Sequence, residues 1–287
     1  MLRYLLGRRP QEYIFPKVDP DQDGPDCLKD CADCTAHYPS NIKIESSTQL
    51  YGRVKEFHSH VLIATGRSDW KQNVEWEKGS LMEAFDRSSA KSERGRFMVS
   101  ASNIQPPDHP VSEPDSPTSA LILPSFTYVD NVTQTDVPDL VKRYIDNHDE
   151  AGNEDVTSTG MTVRPCELDY VILLCSHKRR DARCGITAPL IKRELERHLR
   201  PLGLQRDSDD SRPGGVGVFF VSHVGGHKFS ANVLIYRKKE QQMIWLARVQ
   251  PGHCEGLVKY TLLQGKVVDP ETQLRGGFDR EKGLTSW

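Results

Sequence analysis

Residues 170–185 read Tyr-Val-Ile-Leu-Leu-Cys-Ser-His-Lys-Arg-Arg-Asp-Ala-Arg-Cys-Gly, and residues 216–227 read Val-Gly-Val-Phe-Phe-Val-Ser-His-Val-Gly-Gly-His. Each segment opens with an apolar, β-branched run whose length predicts a buried strand. The first strand leads into a loop with Cys175 and Cys184, and the second into a loop with His223 and His227. Because α/β proteins usually build their sites where strands enter loops, these four residues are the leading candidates for a metal or cluster site.

Two thiolates and two neutral imidazoles suit either a tetrahedral zinc ion or a [2Fe–2S] cluster. Zinc fingers usually separate paired cysteines by two to four residues, whereas eight residues separate Cys175 from Cys184. A longer loop suits a cluster, which is wider than one ion and needs backbone N–H groups close to its sulfides. Gly185, Gly225 and Gly226 would allow that close approach. Spacing alone leaves zinc and a cluster as open alternatives.

Five segments together resemble the sucrase/ferredoxin-like family: Cys175–Gly185, His223–His227, Ile244–Pro251, Cys31–Cys34 and Leu62–Trp70. The resemblance covers residues 27–287. It implies a [2Fe–2S] cluster with Cys175, Cys184, His223 and His227 as ligands, a C-terminal thioredoxin-like ferredoxin fold, and electron transfer in redox or metal homeostasis rather than catalysis. The sequence offers no Ser-His-Asp set, phosphate-binding glycine loop or paired carboxylates for hydrolysis, so the word "sucrase" finds no support in these residues.

The order of predicted elements indicates an α/β protein with two domains. Its parts are a flexible N-terminal segment, 1–26, an N-terminal α/β domain, 27–147, with a Pro-rich loop at 105–119, an acidic linker, 148–160, and a C-terminal domain with a mixed sheet flanked by helices, 161–287. Predicted strands lie at 60–65, 121–129, 170–174, 216–221, 232–236 and 243–249, and predicted helices at 80–85, 137–146, 187–199 and 255–263. Pro189 is expected in the first turn of its helix.

The net charge of −2 conceals an asymmetry between the halves. Residues 1–158 carry 17 Lys and Arg against 26 Asp and Glu, whereas residues 159–287 carry 21 against 14. The small net charge argues against general nucleic-acid binding. The asymmetry predicts either attraction between the halves or docking of an acidic redox partner, a reductase or an acceptor, on the basic loop at 177–183. No apolar run approaches the ~18 residues of a membrane helix, so we expect no membrane association.

Seven cysteines, with no secretory signal before them, predict reduced thiols rather than disulfides. Cys27, Cys31 and Cys34 have the spacing of a radical-SAM cluster motif, but the strand-poor first half offers no large barrel. A Cys31–Cys34 redox dithiol, and so a thiol oxidoreductase, is a further hypothesis, with plain structural thiols favoured over it. The main alternative function is a zinc-stabilised protein-interaction module.

The chain ends in Ser286-Trp287, which resembles a C-terminal signal read by the cytosolic iron–sulfur assembly machinery. The competing interpretation is that Trp287 folds back onto the domain. The signal predicts a cytoplasmic location. The basic start of the chain, Met1–Arg9, keeps the mitochondrial matrix as the alternative.

Overall fold

The computed structural model describes residues 12–106, 116–147 and 160–287. In these residues the chain forms one mixed sheet of twelve strands with helices packed against it. The strands are β1 (Ser59–Ala64), β2 (Phe97–Ser102), β3 (Thr118–Leu123), β4 (Thr127–Val132), β5 (Thr162–Pro165), β6 (Tyr170–Cys175), β7 (Gln205–Arg206), β8 (Val216–Val221), β9 (Val233–Arg237), β10 (Gln242–Leu246), β11 (Leu274–Asp279) and β12 (Leu284–Thr285).

Six helices accompany the sheet: α1 (Pro20–Asp23), α2 (Leu81–Arg87), α3 (Val137–Leu140), α4 (Ala182–Leu199), α5 (Cys254–Gly256) and α6 (Pro270–Gln273). α3 and α5 continue as π-helical turns, Val141–Asp146 and Leu257–Leu262. Short 3₁₀ turns lie at Val74–Trp76, Gln134–Asp136, Arg200–Leu202, His227–Phe229 and Pro251–His253. With 18 residues, α4 is the longest helix of the described ranges, and none of the helices there combines the length and apolarity that a bilayer-spanning segment needs.

The sheet follows the order β12-β11-β10-β9-β6-β8-β2-β1-β3-β4-β5, with β7 beside β8. Within it the two halves repeat one arrangement. In the first half β1 runs parallel to β2 and antiparallel to β3, which pairs antiparallel with β4. In the second half β6, β8, β9 and β10 take the same places and directions. A shared topology requires only apolar strands in the same order, so it does not require the sequences of the two halves to match.

The two halves of the sheet meet through β2 and β8. These strands are antiparallel and pair at their last residues, Ser102 and Val221. Ser222 strengthens the junction, because its N–H donates to the Ala101 carbonyl at 2.8 Å and its Oγ accepts from the Ala101 N–H at 3.0 Å. The carboxyl ends of strands from both halves therefore converge near the middle of the sheet.

Alternation along β6 sorts its side chains between two cores. Ile172 and Leu174 face α4, whose Leu195 is fully buried in the same cluster. Leu173 and Cys175 face the other core, which includes residues of the first half. Cys175 is thus placed between the two halves.

Helix α4 begins five residues before the predicted start at 187. The reason is a cap: the Asp181 carboxylate accepts a hydrogen bond from the Arg183 N–H at 2.9 Å. Pro189 consequently lies inside the helix and not in its first turn, so that prediction is wrong. Cys184 lies on the first turn of α4 and not in the predicted loop.

Other elements differ from the predictions for local reasons. The predicted strand at 121–129 is two strands, β3 and β4, joined through Pro124–Phe126. β2, β5, β7, β11 and β12 were not predicted. Gly276 and Gly277 favour a turn by composition, yet β11 is a buried strand. A Cβ at Gly277 would lie 2.0 Å from the Met243 carbonyl oxygen, so glycine permits the close approach of β11 to β10.

Residues 12–26, predicted within a flexible segment, pack against the second half. Phe15 is 1% exposed in the core around α4, and the Val18 N–H donates to the Val267 carbonyl at 3.1 Å. Residues 1–11, and most of the Pro-rich loop and of the acidic linker, lie outside the described residues. The mixed sheet with flanking helices confirms the α/β class, while the division into two domains stays a prediction.

Candidate functional site

The four candidate ligands come from two neighbouring strands and the turns that follow them. Cys175 is the last residue of β6, and Cys184 lies on the first turn of α4. His223 follows β8 by two residues, and His227 opens the 3₁₀ turn His227–Phe229. β6 and β8 are parallel, with Cys175 paired to Val221, so both strands deliver their following loops to the same edge.

At this edge the four side chains meet in pairs. Cys175 lies within hydrogen-bonding reach of Cys184 and of His223. His223 Nε2 and His227 Nδ1 are 3.5 Å apart, and the ring centroids are 4.9 Å apart. All four residues belong to the described part of the chain, and no three of their ligand atoms lie all within 4.8 Å of one another. The arrangement is a thiol pair beside an imidazole pair.

The mutual contact of the two cysteines shifts the pKa values of their thiols in opposite directions. Both cysteines are 1% exposed. The hydrogen bond from Cys184 lowers the pKa of Cys175 well below the ordinary thiol value, with His223 and the Val224 N–H acting in the same direction. The same hydrogen bond, together with burial, raises the pKa of Cys184. Cys175 therefore has thiolate character, and the thiolate is the form of cysteine that binds metals.

The two histidines lie on the open side of this group. The His227 side chain is 40% exposed, and its Nε2 lies 3.9 Å from an Asp181 carboxylate oxygen. Burial, followed by the neighbouring His223, lowers the pKa of His227. Its ring is therefore neutral at pH 7, which is the state in which imidazole binds a metal.

Arg275 on β11 is a site residue that the sequence analysis missed. Its Nη1 donates to the Gly225 carbonyl at 2.9 Å and to Asn232 Oδ1 at 2.8 Å. The guanidinium also lies 4.5 Å from the centroid of the Trp245 ring. Burial lowers the pKa of Arg275 to about 10, and the nearby Cys175 opposes that shift. Arg275 thus keeps a positive charge beside the thiolate and holds the turn that joins the two histidines. No sequence motif marks this arginine.

The loop between the ligand cysteines packs against the first half of the chain, at residues 68–73. Its contacts there are Ser176 Oγ to the Ser68 carbonyl at 2.6 Å, the His177 ring to the Lys71 carbonyl at 2.8 Å, the Arg179 N–H to Asp69 at 3.1 Å, and Arg180 Nη1 to Asn73 Oδ1 at 2.7 Å. Arg183, in the first turn of α4, pairs with the capping residue Asp181. The side chains of Arg179, Arg180 and Arg183 in the basic loop at 177–183 therefore have partners inside the molecule, and docking of an acidic redox partner on this loop stays a prediction.

A cavity of about 350 Å³ opens beside His223, between the two halves. Apolar side chains of the first half, among them Met82, Phe85 and Phe97, form part of its wall. Arg180 and Ser222 contribute from the second half. The imidazole side of the site is thus reached through a cleft, while the thiol side is closed.

Trp287, proposed as a maturation signal, folds back onto the protein. Its ring centroid lies 5.3 Å from that of Phe57 and 6.0 Å from that of Phe278. Among the N-terminal cysteines, Cys27 is buried beside Val18 and Tyr260, whereas Cys31 and Cys34 are partly exposed. All seven cysteines are free thiols in the structure.

Comparison with known proteins identifies relatives over most of the chain. "Actin patches distal protein 1" of Saccharomyces cerevisiae is 32% identical over 244 residues, which cover 78% of this chain and 75% of that protein. "Altered inheritance of mitochondria protein 32" of Eremothecium gossypii is 23% identical over 293 residues, 88% of each chain. The protein of that name from Clavispora lusitaniae is 39% identical over 98 residues, 34% of this chain and 32% of the relative.

No solved structure matches this chain. The sequence model of the family described as "Sucrase/ferredoxin-like" matches residues 50–276, a range that contains all four candidate ligands, the loop at 68–73 and Arg275. This match extends over both halves of the sheet, and with the relatives above it confirms the predicted resemblance. The chain belongs to the sucrase/ferredoxin-like family.

Proposed function

We propose that this protein is a one-electron carrier that holds a [2Fe–2S] cluster through Cys175, Cys184, His223 and His227. The observation that supports the proposal is the meeting of a thiol pair and an imidazole pair at the carboxyl edge of β6 and β8. Two Cys and two His are a ligand set known for two-iron clusters.

The spacing of the ligand atoms favours two metal ions over one. Around a single tetrahedral zinc ion, with bonds of about 2.0–2.3 Å, all four ligand atoms lie roughly 3–4 Å from each other. Here Cys175 is near Cys184, and His223 is 3.5 Å from His227, but no three ligand atoms share a 4.8 Å neighbourhood. The four ligand atoms are thus more widely spread than a single tetrahedral ion requires, which favours a cluster held by all four residues.

When bound, such a cluster would supply a site that gains and loses one electron. The residues around it would tune its reduction potential. The Val224 N–H and the Ser230 hydroxyl, which lies 3.9 Å from Cys184 Sγ, hydrogen-bond the ligand sulfurs. Arg275 places a buried positive charge beside them. These groups stabilise negative charge and so should raise the reduction potential.

The topology supports a thioredoxin-like assignment for the C-terminal half. Taken in chain order, its strands β6, β8, β9 and β10 lie in the spatial order four-three-one-two. The third of them, β9, is antiparallel to the other members it pairs with. This is the strand order of the thioredoxin fold, and the first half has the same order.

The accessible side of the site indicates where a redox partner would approach. The cysteines are buried and their loop is covered by residues 68–73, whereas His227 is 40% exposed and His223 borders the cavity. We propose that electrons enter and leave through the imidazole side. We propose a cytoplasmic location; the names of the relatives that mention inheritance of mitochondria support the matrix alternative.

The deciding experiment is an absorption spectrum of anaerobically purified protein before and after dithionite, with iron, sulfide and zinc quantified. We expect bands between ~400 and ~600 nm that bleach on reduction, and about two irons per chain. Cys184→Ser should abolish the bands. Cys166→Ser, which alters another buried cysteine of the same half, is the matched control and should keep them. A colourless protein with one zinc lost in Cys184→Ser would replace the carrier by a zinc-stabilised interaction module.

A further inference from the structure

A second group of metal-binding side chains lies apart from the four candidate ligands. It comprises Cys31, His198 and Glu255, whose ligand atoms all lie within 4.8 Å of one another. Cys31 and His198 are partly buried and Glu255 is exposed. The proposed carrier function uses none of these three residues.

Three separate parts of the chain bring this group together. His198 is in the last turn of α4, and Glu255 is in α5, which packs near that end of α4. Cys31 belongs to the N-terminal segment and is fixed beside α5 by its N–H, which donates to the Gly252 carbonyl at 2.9 Å. The cluster therefore depends on the tertiary fold and is not a product of local sequence.

A positive charge already lies between two of these groups. Arg197 Nη2 lies 3.2 Å from Cys31 Sγ and 3.1 Å from His198 Nε2. Arg197 Nε donates to Glu194 at 2.8 Å, which anchors the guanidinium. One nitrogen thus approaches both the sulfur and the imidazole nitrogen, so the lone pairs of these atoms are directed toward a common point.

We propose that Cys31, His198 and Glu255 form a Zn²⁺ site, in which the ion replaces Arg197 between the sulfur and the imidazole. Sulfur, imidazole and carboxylate are the three ligand types that zinc takes in proteins. Cys34 follows Cys31 at the C-x₂-C spacing of zinc ligands and is available for the fourth position. Its Sγ now donates to the Ala36 carbonyl at 3.3 Å, so a side-chain rotation would be needed.

Such an ion would link the N-terminal segment to α4 and α5. Burial, with Arg197 beside it, lowers the pKa of His198, so the ring is neutral and able to bind at pH 7. The same helix carries Cys184 in its first turn, but the zinc site is at the opposite end of α4. Zinc would therefore stabilise the segment without contacting the proposed cluster.

The test is metal analysis of the full-length protein, equilibrated with Zn²⁺ and freed of unbound metal. We expect about one zinc per chain in the wild type and its loss in Cys31→Ser and His198→Gln. His37→Gln alters an exposed histidine of the same segment and should retain the zinc. Arg197→Met removes the competing cation and should tighten zinc binding.

Parallel iron analysis separates this proposal from the carrier function. Cys31→Ser should lose zinc and keep iron, whereas Cys184→Ser should lose iron and keep zinc. A wild-type protein that retains no zinc, or a Cys31→Ser variant that retains as much as the wild type, would overturn the zinc site. Iron content identical in all variants would instead contradict the ligand assignment of the cluster.

Discussion

Replacement of Arg275 by methionine tests how the buried guanidinium supports the candidate site. Methionine keeps much of the length and removes both the charge and the donors. The side chain is 7% exposed, so water does not replace the lost contacts. The Gly225 carbonyl and Asn232 Oδ1 would each lose a donor at hydrogen-bonding distance. We therefore expect a less stable protein with a disordered turn between His223 and His227.

The magnitude follows from two opposing contributions. Hydrogen bonds from a charged donor contribute about 1.5–3 kcal/mol each, and the stacking of Arg275 on Trp245 contributes about 1–2 kcal/mol. Against this, burial lowers the pKa of Arg275 from its ordinary value to about 10. At about 1.4 kcal/mol per pKa unit, keeping the charge buried costs roughly 3 kcal/mol, which methionine would avoid. The remainder predicts a loss of roughly 1–5 kcal/mol in unfolding free energy.

The assay is urea denaturation followed by circular dichroism, combined with the visible spectrum and redox titration of the purified protein. Arg275→Met should also lower the reduction potential, because a positive charge beside the ligands is lost. Arg237→Met is the control: Arg237 is also buried, but it pairs with Tyr170 at the end of β6 opposite to Cys175 and donates to the Leu262 and Leu263 carbonyls. It should lower stability without shifting the potential. An Arg275→Met protein as stable as the wild type, with an unchanged potential, would refute the reasoning.

Three further changes have expected outcomes. His227→Cys replaces a neutral ligand by a negative one, so the cluster should persist with a lower potential; an unchanged or higher value in redox titration would remove His227 from the ligand set. Deletion of Trp287 ends its packing on Phe57 and should cost about 1–2 kcal/mol in urea denaturation. If the tail is also a maturation signal, iron content should fall in protein from cells but not after chemical reconstitution. Burial lowers the pKa of His60 to about 3. The contribution of the neutral ring to the free energy of unfolding is therefore complete above pH 6.5 and is lost toward pH 3, at about 1.4 kcal/mol per pH unit. His60→Gln should flatten this part of the curve of unfolding free energy against pH.

The sequence predicted correctly those elements that depend on residues close together along the chain. The apolar runs before Cys175 and His223 predicted β6 and β8, and the parallel pairing of those strands delivers the segments with the four candidate ligands to the same edge of the sheet. Nothing local predicted Arg275, since its partners lie 43 and 50 residues away along the chain. The sequence predicted too late a start for α4. The charged residues 178–183 are typical of a loop, and this pattern concealed the capping role of Asp181. Sequence patterns also gave no sign of β11, whose glycines indicate a turn in isolation and close strand packing in context.

The repeated topology relates the half that carries the four candidate cluster ligands to a half that carries none of them. In the repeat, Ala64 at the end of β1 takes the place of Cys175 at the end of β6. Because β2 and β8 pair at their last residues, the loop after β1 is delivered to the same point as the loop after β6. The loop after β1 carries no cysteine at this point. Its carbonyl and carboxylate groups at 68–73 instead bind the loop after Cys175. The first half thus closes the thiol side of the candidate site and lines the cavity at the imidazole side, which supports the proposed route of electron exchange through the histidines.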